Sequence, residues 1–100
     1  MKRYRLSSNA QRDLNDIAKY YRESAGNVVA LAIVREIRKG MDILAAMPGI
    51  GHVRKDLTSQ NVLFYRVRSY LIVFQPGQKP VGIVRVLHAS RDVHSVLKSE

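Results

Sequence analysis

The chain contains no cysteine, so neither disulfides nor thiolate metal sites can help hold it together. That suits a reducing compartment. No stretch approaches the roughly 20 apolar residues that a membrane span needs. The basic start, Met1-Lys2-Arg3-Tyr4-Arg5-Leu6, lacks the apolar core of a signal peptide. These absences predict a cytoplasmic protein that does not enter a membrane. His52 and His94 have no second ligand at useful spacing, so no metal and no cofactor is expected. Acid is scarce as well: 8 Asp and Glu stand against 17 Lys and Arg, a net charge of +9. So cationic a surface repels itself and seeks polyanions. Nucleic acid, the ribosome, an anionic membrane surface or an acidic protein would each satisfy it. Most of the cations are arginine, whose planar fork suits phosphate and carboxylate.

What is present is a core of ordinary size. One hundred residues with 46% hydrophobic content predict a single domain, residues 1–100, near the lower limit for an unaided core. The last third organises it. Val62–Val67, Tyr70–Gln75 and Val81–His88 are short β-branched and aromatic runs, separated by Arg68-Ser69 and by Pro76-Gly77-Gln78-Lys79-Pro80. Runs punctuated in this way predict three consecutive antiparallel strands. The last run is apolar on both alternating faces apart from Arg85 and His88, which places it centrally in its sheet.

Upstream, Arg3–Leu6 alternates and reads as an edge strand. Ser8-Asn9-Ala10-Gln11 fits a capping box with Ser8 as N-cap. Ala10, Leu14, Ile17, Ala18 and Tyr21 then recur at helical spacing, with Arg12, Asp13, Asp16, Lys19, Arg22 and Glu23 on a face read as solvated. Gly26 stops this helix and Asn27 is placed to cap the next. Ala30, Ile33, Val34, Ile37, Met41 and Leu44 form the second stripe, with Gly40 at its edge permitting close packing. Two helices joined by a two- or three-residue turn form an antiparallel hairpin, and their stripes must be buried on the sheet. The segment 48–60 is one long connection, of a length usually functional or mobile. Its Gly49-x-Gly51 follows a helix rather than a strand, so it is no nucleotide fingerprint. Asp92 is placed to cap a last turn, Val93–Leu97. The expectation is an α+β fold in the order β-α-α-β-β-β: a helical hairpin on a small antiparallel sheet, with a short C-terminal helical turn.

Four elements in this order carry a resemblance along nearly the whole chain. They are Ala10-x3-Leu14-x2-Ile17-x2-Tyr20, Pro48-x2-Gly51-x2-Arg54-x2-Leu57, Tyr70-Leu71-Ile72-Val73-Phe74, and Ile83-Val84-Arg85-Val86-Leu87-His88-x2-Arg91-Asp92. Together they resemble the ParE branch of the RelE/ParE superfamily of type II toxin–antitoxin toxins. The resemblance implies a cognate, acidic, partly disordered antitoxin. A +9 domain is an expected target for such a segment, which folds as it binds. It also implies one of two targets: ParE-like members interfere with DNA gyrase, and RelE-like members cut messenger RNA on the ribosome.

Metal-free RNA cleavage needs a group to activate the 2′-hydroxyl, one to protonate the leaving oxygen, and cations on the phosphate. The candidates are His88 as base or acid, with Arg54, Arg66, Arg85 and Arg91 on phosphate. Each has a plainer reading. His88 at a strand end can bond backbone or Asp92. Arg85, expected on the face of Ile83 and Leu87, can form an ion pair or lay its stem on apolar neighbours. Arg91 and Asp92 can pair locally. Arg66 and Arg68 share a face if the strand stays regular, as a phosphate stripe or as a solvated edge. Cutting members commonly carry a Tyr or His-Tyr pair near the C-terminus. Here the last tyrosine is Tyr70, and the end reads His88-Ala89-Ser90-Arg91-Asp92. No closing aromatic can stack on a base. The resemblance therefore favours a non-catalytic gyrase inhibitor, with Arg54, Arg66, Arg68, Arg85 and Arg91 as target or antitoxin contacts.

Overall fold

The computed structural model describes residues 4–77 and 79–98. Its elements are β1 (Tyr4–Leu6), α1 (Ser8–Ala25), α2 (Asn27–Ala46), β2 (Leu63–Val67), β3 (Tyr70–Gln75), β4 (Val81–His88) and α3 (Val93–Lys98). The order is the expected one, and β2 to β4 form the expected meander. They form one sheet in the order β1-β4-β3-β2, so β4 is central and β1 lies at the edge. β1 runs parallel to β4, with Tyr4 beside Val81 and Leu6 beside Ile83. The part of the first strand expected at Arg3 lies outside the described residues.

The helix ends depart from expectation by one residue. Ser7, not Ser8, is the N-cap of α1, its hydroxyl accepting the Ala10 N–H at 2.9 Å. Gln11 therefore falls one position too late for a capping box and instead donates to Asn15 at 3.1 Å. Gly26 alone connects the two helices. At φ 91° it occupies the left-handed region that suits glycine, its N–H donates to the Arg22 carbonyl, and its own carbonyl accepts from Ala30. Asn27 is thus the first residue of α2 rather than its cap.

The sheet separates two apolar clusters. On one face the hairpin lays Leu14, Ile17, Ile33, Ile37, Met41 and Leu44 onto Tyr70, Ile72, Phe74, Ile83 and Val86. Gly40 lets α2 approach β2: an added Cβ would stand 2.5 Å from Val67 Cγ2. On the other face Val62, Phe64, Leu71, Val73 and Leu87 meet Val93 and Leu97 of α3. A six-residue helix is marginal alone. Burying Val93 and Leu97, at about 1.5–3 kcal/mol each, is what holds α3, aided by Asp92, which accepts the Ser95 N–H at 3.2 Å. β3 is consequently buried on both faces, as a strand roofed on both sides must be.

The long connection is tied down rather than loose. After the 3-10 turn Pro48–Ile50, an added Gly51 Cβ would overlap the Phe74 ring. His52 pairs with Phe64 through two 2.8 Å backbone bonds. Thr58 is buried, and Gln60 Nε2 donates to the Leu97 carbonyl at 2.8 Å.

Candidate functional site

β1 ends at Leu6, so the edge of β4 beyond Ile83 has no neighbouring strand. The start of α1 fills the gap with side chains and backbone. The Ser7 N–H donates to the Ile83 carbonyl at 3.0 Å, and its hydroxyl donates to the Val84 carbonyl at 2.7 Å. Nearly two turns further on, the Asp13 carboxylate accepts the Val86 N–H at 2.9 Å. The same carboxylate takes Arg85 in a fork: Nε to Oδ2 at 2.7 Å and Nη2 to Oδ1 at 2.9 Å. The two side chains are 15% and 8% exposed, so this pair is largely out of solvent.

Two expectations are corrected here. Asp13 is not on a solvated face. Spacing showed it, since Asp13 follows Ala10 by three residues and precedes Ile17 by four, which puts it within the apolar stripe. Arg85 does not share a face with both Ile83 and Leu87, because those two residues belong to opposite clusters. A register shift between Val73 and Phe74 sets Val73 opposite Arg85 and Phe74 opposite Ile83, and this extra residue breaks the alternation.

His88 ends β4 and is exposed. Its ring stands edge-on to Tyr70, centroids 5.4 Å apart. Its Nδ1 accepts the Ser90 N–H at 3.1 Å and lies 2.6 Å from the Ser90 hydroxyl. In the neutral ring that network places the proton on Nε2. The lone pair a general base would use is therefore turned back onto the chain. Behind it, Tyr70 is buried. Burial pushes its phenol far above the usual tyrosine range, and the hydrogen bond with Tyr21 adds to the shift. Tyr21 meets Tyr20 edge to face at 5.1 Å, so an aromatic row joins α1 to the end of the sheet.

The remaining arginines do not converge on one point. Arg68 has φ 54°, so the strand bends before it, and the stripe expected with Arg66 does not form. Arg68 pairs with Glu36 of α2, while Arg66 Nε donates to the Arg68 carbonyl at 2.7 Å. Arg91 is exposed in the turn after β4, its N–H donating to the His88 carbonyl at 3.0 Å. The Ala89 N–H donates to the Ser69 carbonyl at 2.7 Å, so Arg66, Arg68, His88 and Arg91 all lie near one end of the sheet. Arg54 is elsewhere, on the connection past the His52–Phe64 bridge, gripping Asp56 at 3.0 and 2.8 Å. That hydrogen-bonded contact raises the arginine further and holds the Asp56 carboxyl below its ordinary value. Arg85 is mid-strand, turned to α1. Among the described residues no three His, Asp or Glu side chains are grouped to hold a metal ion, and no helix is long and apolar enough to cross a membrane.

Comparisons with known proteins agree on one family. Residues 4–93 match the model of the ParE toxin of the type II toxin–antitoxin system parDE. The chain is 33% identical to Toxin ParE1 of Caulobacter vibrioides over 105 aligned positions, covering 97% of this chain and 99% of that protein. Its fold is similar to a chain of the solved chromosomal ParDE toxin–antitoxin system from P. aeruginosa. There the TM-score is 0.73 at 21% identity, over 85% of this chain and 92% of the other.

Proposed function

Because the chain belongs to the ParE toxin family, the toxin side of a type II toxin–antitoxin system, we propose that it inhibits DNA gyrase by binding it and that a cognate acidic antitoxin neutralises it. One observation supports binding over bond breaking. Two of the groups that RNA cleavage would need are already engaged within the molecule: Arg85 holds Asp13, and His88 Nδ1 accepts from Ser90. A phosphate clamp requires guanidiniums that can turn to the substrate, and a base requires an open lone pair. Neither condition is met at β4.

The net charge of +9 supplies the long-range attraction toward an acidic antitoxin. Arg66, Arg68 and Arg91 near one end of the sheet, and Arg54 on the connection, are the proposed contacts for gyrase or antitoxin. The test is to add the purified chain to gyrase and follow supercoiling and trapped DNA cleavage, with a translation reaction on defined messenger RNA in parallel. Inhibited supercoiling with intact message is the expected result, and His88→Ala should not change it. Message cut on the ribosome, with cutting lost in His88→Ala, would replace this reading with a RelE-like nuclease.

A further inference from the structure

The turn between β2 and β3 carries a residue that its backbone does not favour. Arg68 and Ser69 alone connect the two strands, with Val67 paired to Tyr70 across the loop. Among the described residues other than glycine, only Arg68 has a positive φ, 54°. A two-residue loop that is left-handed at its first position ordinarily takes glycine there, because a Cβ is strained in that region. Its surroundings fix this conformation. Arg66 Nε donates to the Arg68 carbonyl at 2.7 Å, and the Ala89 N–H donates to the Ser69 carbonyl at 2.7 Å. A strained residue held from several sides, where glycine would serve the fold with less strain, points to a role for its side chain.

That side chain is presented rather than packed. The Arg68 guanidinium is 56% exposed and meets the Glu36 carboxylate of α2, itself 44% exposed, through Nε alone. Its Nη1 and Nη2 make no hydrogen bond among the described residues. The outer edge of the fork is therefore open to a second carboxylate. Tyr21 lies within electrostatic reach of Arg68, and Tyr20, which is 62% exposed, stands edge-on to Tyr21. Arginine beside exposed tyrosine is a composition enriched at protein interfaces.

We infer that Arg68 is a socket for a carboxylate of an acidic protein partner, and that Glu36 is the resident stand-in which this carboxylate displaces. The choice of carboxylate over phosphate follows from the free chain, where this guanidinium already holds one, and from the aromatic neighbours. Two carboxylates at one guanidinium repel each other, so entry of the partner's group releases Glu36. The net charge of +9 draws an acidic partner in and repels a second copy of this chain. The inference rests on the reading that an acidic antitoxin neutralises this chain, and it makes Arg68 a specificity-determining contact for that antitoxin.

The experiment measures, by calorimetry, the affinity of the full chain for its cognate antitoxin and for poly-glutamate. Arg68→Gly should melt at or above the parent, because glycine relieves the turn and an exposed ion pair contributes little. It should nevertheless bind the antitoxin about tenfold more weakly. Glu36→Gln should bind roughly two- to fivefold more tightly, through loss of the competing carboxylate. Arg12→Gln and Asp42→Asn make the same charge changes at other exposed positions, and each should shift affinity by less than about twofold. An Arg68→Gly chain that melts well below the parent would assign the arginine to the fold and overturn the inference. So would losses as large in Arg12→Gln, no gain in Glu36→Gln, or the same opposed shifts with a short DNA duplex, which would make the site a phosphate contact. If the antitoxin binds the parent and both Arg68→Gly and Glu36→Gln alike, only the socket fails. If it does not bind the parent at all, the antitoxin reading fails. Poly-glutamate then decides the socket: opposed shifts in the two variants keep it, and their absence overturns it.

Discussion

Replacing Asp13 by alanine tests whether one carboxylate substitutes for a missing stretch of strand. The substitution leaves the Arg85 guanidinium charged and 15% exposed without its fork, and leaves the Val86 N–H without its acceptor. Breaking a buried pair from one side costs about 3–5 kcal/mol, because the surviving charge loses its carboxylate. The orphaned amide adds about 1–3 kcal/mol, and the two losses overlap rather than sum. A loss near 4 kcal/mol is a large part of the roughly 5–15 kcal/mol that holds a domain of this kind folded. At about 4–8 °C per kcal/mol, the melting temperature should fall by roughly 15–30 °C. Urea melts of the parent, Asp13→Leu, Arg85→Met and the double variant Asp13→Leu/Arg85→Met complete the cycle, with Asp13→Ala measured beside it. The double variant should be more stable than Asp13→Ala, since it leaves no buried guanidinium stripped of its carboxylate, while the Val86 N–H loses its acceptor in both. A cost under about 1 kcal/mol for Asp13→Ala, or single losses that add within about 0.5 kcal/mol, would refute the reasoning.

Three further outcomes follow from the packing. Ser7→Ala should cost about 1–2 kcal/mol in thermal melts through loss of the cap and of its bond to Val84, whereas Ser8→Ala should stay within about 0.5 kcal/mol; the reverse order would return the cap to Ser8. Gly40→Ala should destabilise by about 1–3 kcal/mol although alanine is the better helix former, because β-branched Val67 cannot turn aside freely. Gly40→Ala/Val67→Ala should recover part of that loss, and a stabilised single variant would count against the close approach. Tyr70 is held neutral by burial, so its contribution is complete below about pH 10 and is lost as pH rises above that range. Titrated by ultraviolet absorbance, one of the five tyrosines should ionise only as the chain unfolds, and Tyr70→Phe should remove that component; five ordinary phenols in the folded protein would sink this prediction.

Much of the fold was legible because periodicity reports burial directly. The three runs from Val62 to His88 became β2, β3 and β4 nearly residue for residue, since each alternates or saturates according to how many of its faces are covered. Both helical stripes were visible for the same reason, as was the close approach at Gly40. The site was less legible. Spacing put Asp13 within the stripe of Ala10 and Ile17, yet its charge argued for solvent, and only a partner 72 residues away reverses that preference.

The sequence by itself determined the cationic balance, the alternation of elements and the family to which they belong, because these depend on composition and on short-range spacing. Tertiary structure alone decided that β1 lies parallel to β4 and stops short of its end, and that a register shift at Val73 and Phe74 puts Ile83 and Leu87, expected on one face with Arg85, on opposite faces. It also placed the Asp13 carboxylate in the gap. Each of these depends on which distant backbone groups lack a partner. Hydrogen-bond satisfaction belongs to the assembled chain, and local pattern does not encode it.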